Sequence, residues 1–216
     1  MKKYDTVIFD LDGTLLNTLE DLKDGVNHVL KENGYSQRTL EEVRQFVGNG
    51  IRRLMELAVP EGISDEKFEK VFEEFRTYYT AHCQVKTCAY DGILELLKEL
   101  KTQRYALAIV SNKNQGAVSE LNEIYFKEWI ETAIGQTDGI RKKPAPDTVL
   151  QALKSLGKER KTALYVGDSE VDFQTAENVG MDCVLVTWGF RTPEELKSFT
   201  PVARIEKPQE LLEILA

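Results

Sequence analysis

The chain has 216 residues, 42% of them hydrophobic, enough for one generous domain or two modest ones with a real core. Its formal net charge of −8, from 36 acidic against 28 basic residues, argues against nucleic acid or an anionic membrane as the main partner and favours a small ligand. No apolar run approaches a membrane span, Asp5 and Asp10 bracket the apolar stretch after Lys2 and Lys3 so that no signal-peptide core is expected, and Cys83, Cys88 and Cys183 show no metal-type spacing, so a reducing cytoplasm is the expected compartment.

In chain order, Val7, Ile8 and Phe9 form a short β-branched and aromatic run that reads as a buried strand ending at Asp10. Asp12 and Gly13 follow in a sharp turn. Thr18 with Asp21, and Thr39 with Glu42, have the form of capping boxes ahead of helical apolar spacing, the first helix running to Gly34 and the second breaking at Gly48-Asn49-Gly50. Helical patterns then cover Ile51 to Ala58 and Ser64 to about His82, the latter with Phe68, Val71, Phe72, Phe75 and Tyr79 on one face. From Asp91, expected to cap a helix through Leu100, strands and helices alternate. The strands are Ala106 to Val110, one near Ala133-Ile134, Ala163 to Val166, and Cys183 to Val186. The helices are Gln115 to Tyr125, one to Leu156, one to Val179, and a short one from Pro208. The expected fold is α/β, a doubly wound parallel sheet made from residues 1–16 and 89–216, with an all-helical insert over 17–88. Asp10, Ser111 and Asp168 each stand just past the carboxyl end of a predicted strand, where an open parallel sheet binds its ligands.

Two carboxylates as close as Asp10 and Asp12 repel by about 4 kcal/mol at ~4 Å and an effective dielectric of about 20, which points to a cation or a proton-transfer role. Asp10, ionised at neutral pH, suits a nucleophile that forms an acyl phosphate, and Asp12 suits the acid and base that serve a leaving alkoxide and then an attacking water. Asp168 and Asp172, four residues apart, raise the local charge to −4, and Lys143 reduces it only to −3. Oxygen ligands beside a phosphate favour Mg2+ as the cofactor. Ser111 and Asn112, with main-chain amides at a helix start, would hold phosphoryl oxygens, and Lys143 would neutralise charge during transfer. With His28 and His82 both in the insert, a Ser-His-Asp or Cys-His mechanism has little support.

These residues resemble the four motifs of the haloacid dehalogenase superfamily of phosphatases: Asp10-Leu11-Asp12-Gly13-Thr14, Ser111, Lys143 before Pro144, and Gly167-Asp168 with Asp172. The resemblance implies a Rossmann-like core, a helical cap that closes over the site, and Mg2+ held by Asp10, Asp168 and the Asp12 carbonyl, with Asp172 and Ser169 in an outer shell. It also implies Gly13, Thr14, Gly50 and Arg52 as phosphate- or substrate-binding residues. Phe46-Val47-Gly48-Asn49-Gly50 with Arg52 and Arg53, Lys142-Lys143-Pro144, and Val186-Thr187-Trp188-Gly189 are similar to phosphoglycolate phosphatases, with Asn17-Thr18 where that pattern usually has Asp-Ser. The partner implied is a small phosphorylated metabolite, with neither nucleic acid nor membrane, and the protein a monomer or homodimer. Pyrophosphate, sugar and nucleotide phosphates are alternative substrates, a sugar phosphomutase an alternative activity, and a phospho-accepting signalling domain an alternative of another class. Asp12 discriminates against the last, because a receiver must keep its acyl phosphate.

Overall fold

The computed structural model describes residues 3–216. The elements are β1 (Thr6–Phe9), β2 (Leu16–Asn17), α1 (Leu19–Glu32), α2 (Leu40–Phe46), α3 (Ile51–Ala58), α4 (Asp65–His82), β3 (Cys88–Ala89), α5 (Ile93–Thr102), β4 (Ala106–Asn114), α6 (Gln115–Tyr125), β5 (Thr132–Gln136), α7 (Asp147–Leu156), β6 (Ala163–Gly167), α8 (Glu170–Val179), β7 (Asp182–Val186), β8 (Ala203–Ile205) and α9 (Glu210–Leu215). The chain divides into two compact units, Met1–Leu16 with Ala89–Ala216, and Asn17–Cys88.

The first unit carries a six-stranded sheet in the order β5-β4-β1-β6-β7-β8, with every pairing parallel. Strand alternation divides its side chains cleanly between two cores. Val7, Phe9, Leu107, Ile109, Leu164, Val166, Val184 and Val186 pack with α5, α6 and α9 on one face. Ile8, Ala108, Val110, Tyr165, Cys183 and Leu185 pack with α7 and α8 on the other. Strands covered on both faces must be apolar throughout, which is why β1 and β6 are wholly buried. The order reverses at β1, so the tips of β4, β1 and β6 lie side by side at the switch point.

The second unit is built from α1 to α4. Val71, Phe75 and Tyr79 of α4 are buried, and Gly25 lets α1 come close to the rings of Phe75 and Tyr79. The capping box of Thr39 and Glu42 forms as expected. That of Thr18 and Asp21 does not: the buried Asp21 carboxylate instead accepts from the Lys86 amide at 3.0 Å and from the Thr87 amide and hydroxyl at 2.9 and 2.8 Å. Three donors from the returning chain outweigh one helix-start amide.

Three further expectations are corrected. The chain turns through Gly92 in the left-handed conformation, so α5 is capped by Gly92 and not by Asp91. Strand β4 continues to Asn114, which places Ser111 and Asn112 inside the strand instead of beyond it. The short β2, β3 and β8 were not expected, because strands of two or three residues carry no periodicity.

Candidate active site

Asp10 follows β1 directly, and its amide donates to Val166 O of β6 at 2.9 Å. Its carboxylate is buried and meets Lys143, whose Nζ lies 2.8 Å from Asp10 Oδ1 and 2.7 Å from Asp172 Oδ1. Lys143 also donates to the Tyr165 hydroxyl at 3.2 Å, so its three ammonium hydrogens have three acceptors. Burial alone would push this ammonium down, but Asp10 and Asp172 outweigh it and hold the group above its usual range.

Asp172 is committed on both oxygens. Oδ1 takes Lys143 and the Tyr165 hydroxyl at 3.0 Å, while Oδ2 takes the Ser169 hydroxyl at 2.6 Å and the amides of Ser169 and Asp168 at 3.1 and 3.2 Å. Ser169 and Asp172 thereby close the capping box of α8. Asp172 serves the helix start and the ammonium together, and Ser169 holds Asp172 in place.

Asp168 follows β6 directly, and its Oδ2 accepts the Phe190 amide at 2.7 Å. Burial first, and Asp172 second, push its carboxyl up to about 7, against the opposing pull of the Phe190 amide and Arg191. Burial and then Asp172 likewise raise Asp10 well above the ordinary carboxylate range, although Lys143 opposes them. Gly13, at φ +86, and Gly189 crowd the Asp168 carboxylate so closely that a Cβ at either position would collide with it. The Gly13 amide donates to Leu16 O at 2.8 Å, the Thr14 hydroxyl points to Asp168 Oδ1 at 3.4 Å, and the Thr14 carbonyl accepts from Trp188 Nε1 at 3.1 Å. Gly13 and Thr14, expected on the phosphate side, here shape the loop around Asp168.

At the tip of β4, alternation sends neighbours in opposite directions. Asn112 clamps the Lys143 main chain, accepting its amide at 2.7 Å and donating to its carbonyl at 3.1 Å, so its carboxamide is occupied by the lysine loop. Ser111 and Lys113 both turn toward Asp12. Lys113 Nζ pairs with Asp12 Oδ1 at 3.0 Å, and Ser111 Oγ lies 3.5 Å from Asp12 Oδ2. Gly50 and Arg52 belong to the helical unit. Gly50, at φ +84, caps α3, and Arg52 pairs with Glu69 and Glu56 and lies over the rings of Phe68 and Phe72.

A family model described as haloacid dehalogenase-like hydrolase matches residues 7–186, which contain Asp10, Asp12, Ser111, Lys143, Asp168 and Asp172. The chain belongs to the haloacid dehalogenase-like hydrolases. Among relatives of this hydrolase, a phosphoglycolate phosphatase of Aquifex aeolicus is 30% identical, with 97% of this chain and 95% of the relative covered. Phosphoglycolate phosphatase 1 of Pseudomonas aeruginosa is 32% identical, with 95% and 78% covered. A crystal structure of a provisionally named phosphoglycolate phosphatase from Lactobacillus delbrueckii subsp. bulgaricus is 35% identical, covers 99% of the hydrolase and 98% of its own chain, and has a TM-score of 0.93.

The donor set of the hydrolase fits a divalent cation. Ligand oxygens of Asp10, Asp168 and Asp172 lie within 4.8 Å of one another, all three residues are buried, and the upward push on Asp10 and Asp168 shows how poorly the site tolerates its own negative charge. Lys113, 6% exposed, is a second buried ammonium that sequence reasoning passed over, and it leaves four carboxylates against two ammonium groups. Tyr165 was also missed. The signals for both existed: a lysine two residues after Ser111 shares its face of the strand, and a tyrosine in a wholly buried strand needs a partner for its hydroxyl. No helix among the described residues is long and apolar enough to cross a membrane.

Proposed function

We propose that this hydrolase is a Mg2+-dependent phosphatase of small phosphomonoesters, phosphoglycolate first among them, acting through a phosphoryl group carried on Asp10. The observation that carries the reading is the Lys143 ammonium held 2.8 Å from Asp10 Oδ1 and 2.7 Å from Asp172 Oδ1 in a buried, carboxylate-rich site. A lone buried carboxylate would be neutral and a poor nucleophile, and the ammonium favours its ionised form. Asp10, Asp168 and the main-chain carbonyl of Asp12 would hold Mg2+, which supplies charge neutralisation on phosphoryl oxygens.

The Asp10 carboxylate attacks phosphorus as the ester bond breaks, and Asp12 gives a proton to the departing alcohol oxygen. In the second half Asp12 takes a proton from water, which attacks the acyl phosphate and frees Asp10. Ser111 and the main-chain amides of the β4 tip offer donors to the phosphoryl oxygens, and Lys143 stays with the charge that moves between Asp10 and phosphate. Phosphoglycolate is favoured because relatives over nearly the full chain are phosphoglycolate phosphatases.

The test is phosphate release from a panel of phosphoglycolate, pyrophosphate, sugar phosphates and nucleotides, with and without EDTA. Phosphoglycolate should give the highest kcat/KM, and EDTA should silence turnover. A larger value for another ester replaces the substrate, and full activity in EDTA defeats the metal-dependent reading.

A further inference from the structure

We infer that Lys113 is the positioning residue of Asp12, fixing the carboxyl group that protonates the leaving alcohol; this rests on the acid role proposed for Asp12. Asp12 precedes a glycine in a tight loop, its side chain is 22% exposed, and the final torsion of an aspartate is broad, so its carboxyl plane depends on the partners it meets. The tip of β4 supplies two of these partners. Lys113 Nζ is 3.0 Å from Oδ1, and Ser111 Oγ lies 3.5 Å from Oδ2. These two residues are i and i+2 of one strand and therefore face the same side, and they are tied to each other by the Lys113 amide donating to Ser111 Oγ at 3.1 Å.

The two holders are unequal. The serine contact is at the limit of a hydrogen bond, whereas the lysine contact is charge-assisted and made by a side chain only 6% exposed. Lys113 is thus the stronger of these two restraints, and it remains if Ser111 turns to a phosphoryl oxygen. A misplacement of about 1 Å can cost roughly 100-fold in rate, so a restraint of this kind has a kinetic signature.

The signature is selective. In the first half-reaction the Asp10 oxygen–phosphorus bond forms, the phosphorus–ester oxygen bond breaks with its electron pair remaining on oxygen, and that oxygen takes the Asp12 proton. Glycolate, a basic alkoxide, needs the proton during departure, and p-nitrophenolate does not. The experiment measures single-turnover release of glycolate from phosphoglycolate and of p-nitrophenolate from p-nitrophenyl phosphate, at saturating enzyme, for wild type, Lys113→Met and Asp12→Asn. Methionine keeps the length and apolar stem of the lysine.

Lys113→Met should slow glycolate release at least about tenfold while p-nitrophenolate release stays within about threefold, with Asp12→Asn showing the same preference more strongly. Equal losses on both substrates, no loss on either, or a weaker binding of phosphoglycolate with an unchanged rate at saturation would each overturn the positioning role. If Asp12→Asn itself shows no dependence on the leaving group, the acid reading of Asp12 fails and the inference falls with it. Should Lys113→Met not fold, Lys113→Arg, which keeps the charge but moves it, is judged by the same contrast.

Discussion

Asp168→Asn tests the electrostatic account of the site in the metal-free protein. The carboxyl of Asp168 is pushed up from 3.8 to about 7 by burial and by Asp172, so the fold binds its proton more tightly than the unfolded chain does. The stability linked to that proton is complete below pH 3.8 and is lost as pH rises through about 7. At roughly 1.4 kcal/mol per pH unit the whole loss is about 4 kcal/mol, of which about 2 kcal/mol falls between pH 5 and 7. Carboxylates such as Asp24, Asp147 and Asp182, whose values are lowered by hydrogen-bonded basic or phenolic partners, finish titrating below that window. Asparagine can still accept the Phe190 amide and cannot ionise. Urea unfolding in EDTA at pH 5, 6, 7 and 8 should therefore show wild type losing stability with rising pH, and the variant losing about 2–3 kcal/mol less. Mg2+ should stabilise wild type at pH 8 more than it stabilises the variant, because an ionised carboxylate holds the cation more strongly than a neutral amide. Parallel pH profiles for the two proteins, or a wild type that gains stability from pH 5 to 8, would refute the reasoning.

Asp10→Asn should abolish turnover while its far- and near-ultraviolet circular dichroism match wild type; measurable phosphate release above background would remove Asp10 as nucleophile. Asn112→Ala removes both bonds to the Lys143 main chain, and should cost about 1–3 kcal/mol in urea unfolding together with at least a tenfold fall in kcat. An unchanged kcat would show that the lysine is held without that clamp. Arg52→Ala breaks the pairs with Glu69 and Glu56, and should raise KM for phosphoglycolate several times more than KM for p-nitrophenyl phosphate; equal changes would remove Arg52 as a carboxylate-recognising residue.

Local chemistry made much of the chain legible. The Val7-Ile8-Phe9 run followed by Asp10 sets a strand with an acid at its tip, and the Thr39 and Glu42 pair starts α2 because both partners lie within one turn. Asp168 directly after β6 and the buried stripe of α4 follow from the same short-range periodicities. The tertiary structure decided which polar groups meet. Thr18 and Asp21 have the spacing of a capping box, yet Asp21 is taken by Lys86 and Thr87, 65 and 66 residues away. Lys113 reads as one more charge after a strand until the sheet order lays β4 beside β1 and brings it to Asp12, 101 residues earlier. Asn112 and Tyr165 acquire their partners in the same way, through the Lys143 loop and α8. Sequence spacing reports neighbours within about one helical turn or one strand pleat, because those distances are fixed by covalent geometry. Partners farther apart along the chain are set by strand order and loop path, which emerge only when both faces of the sheet are buried at once.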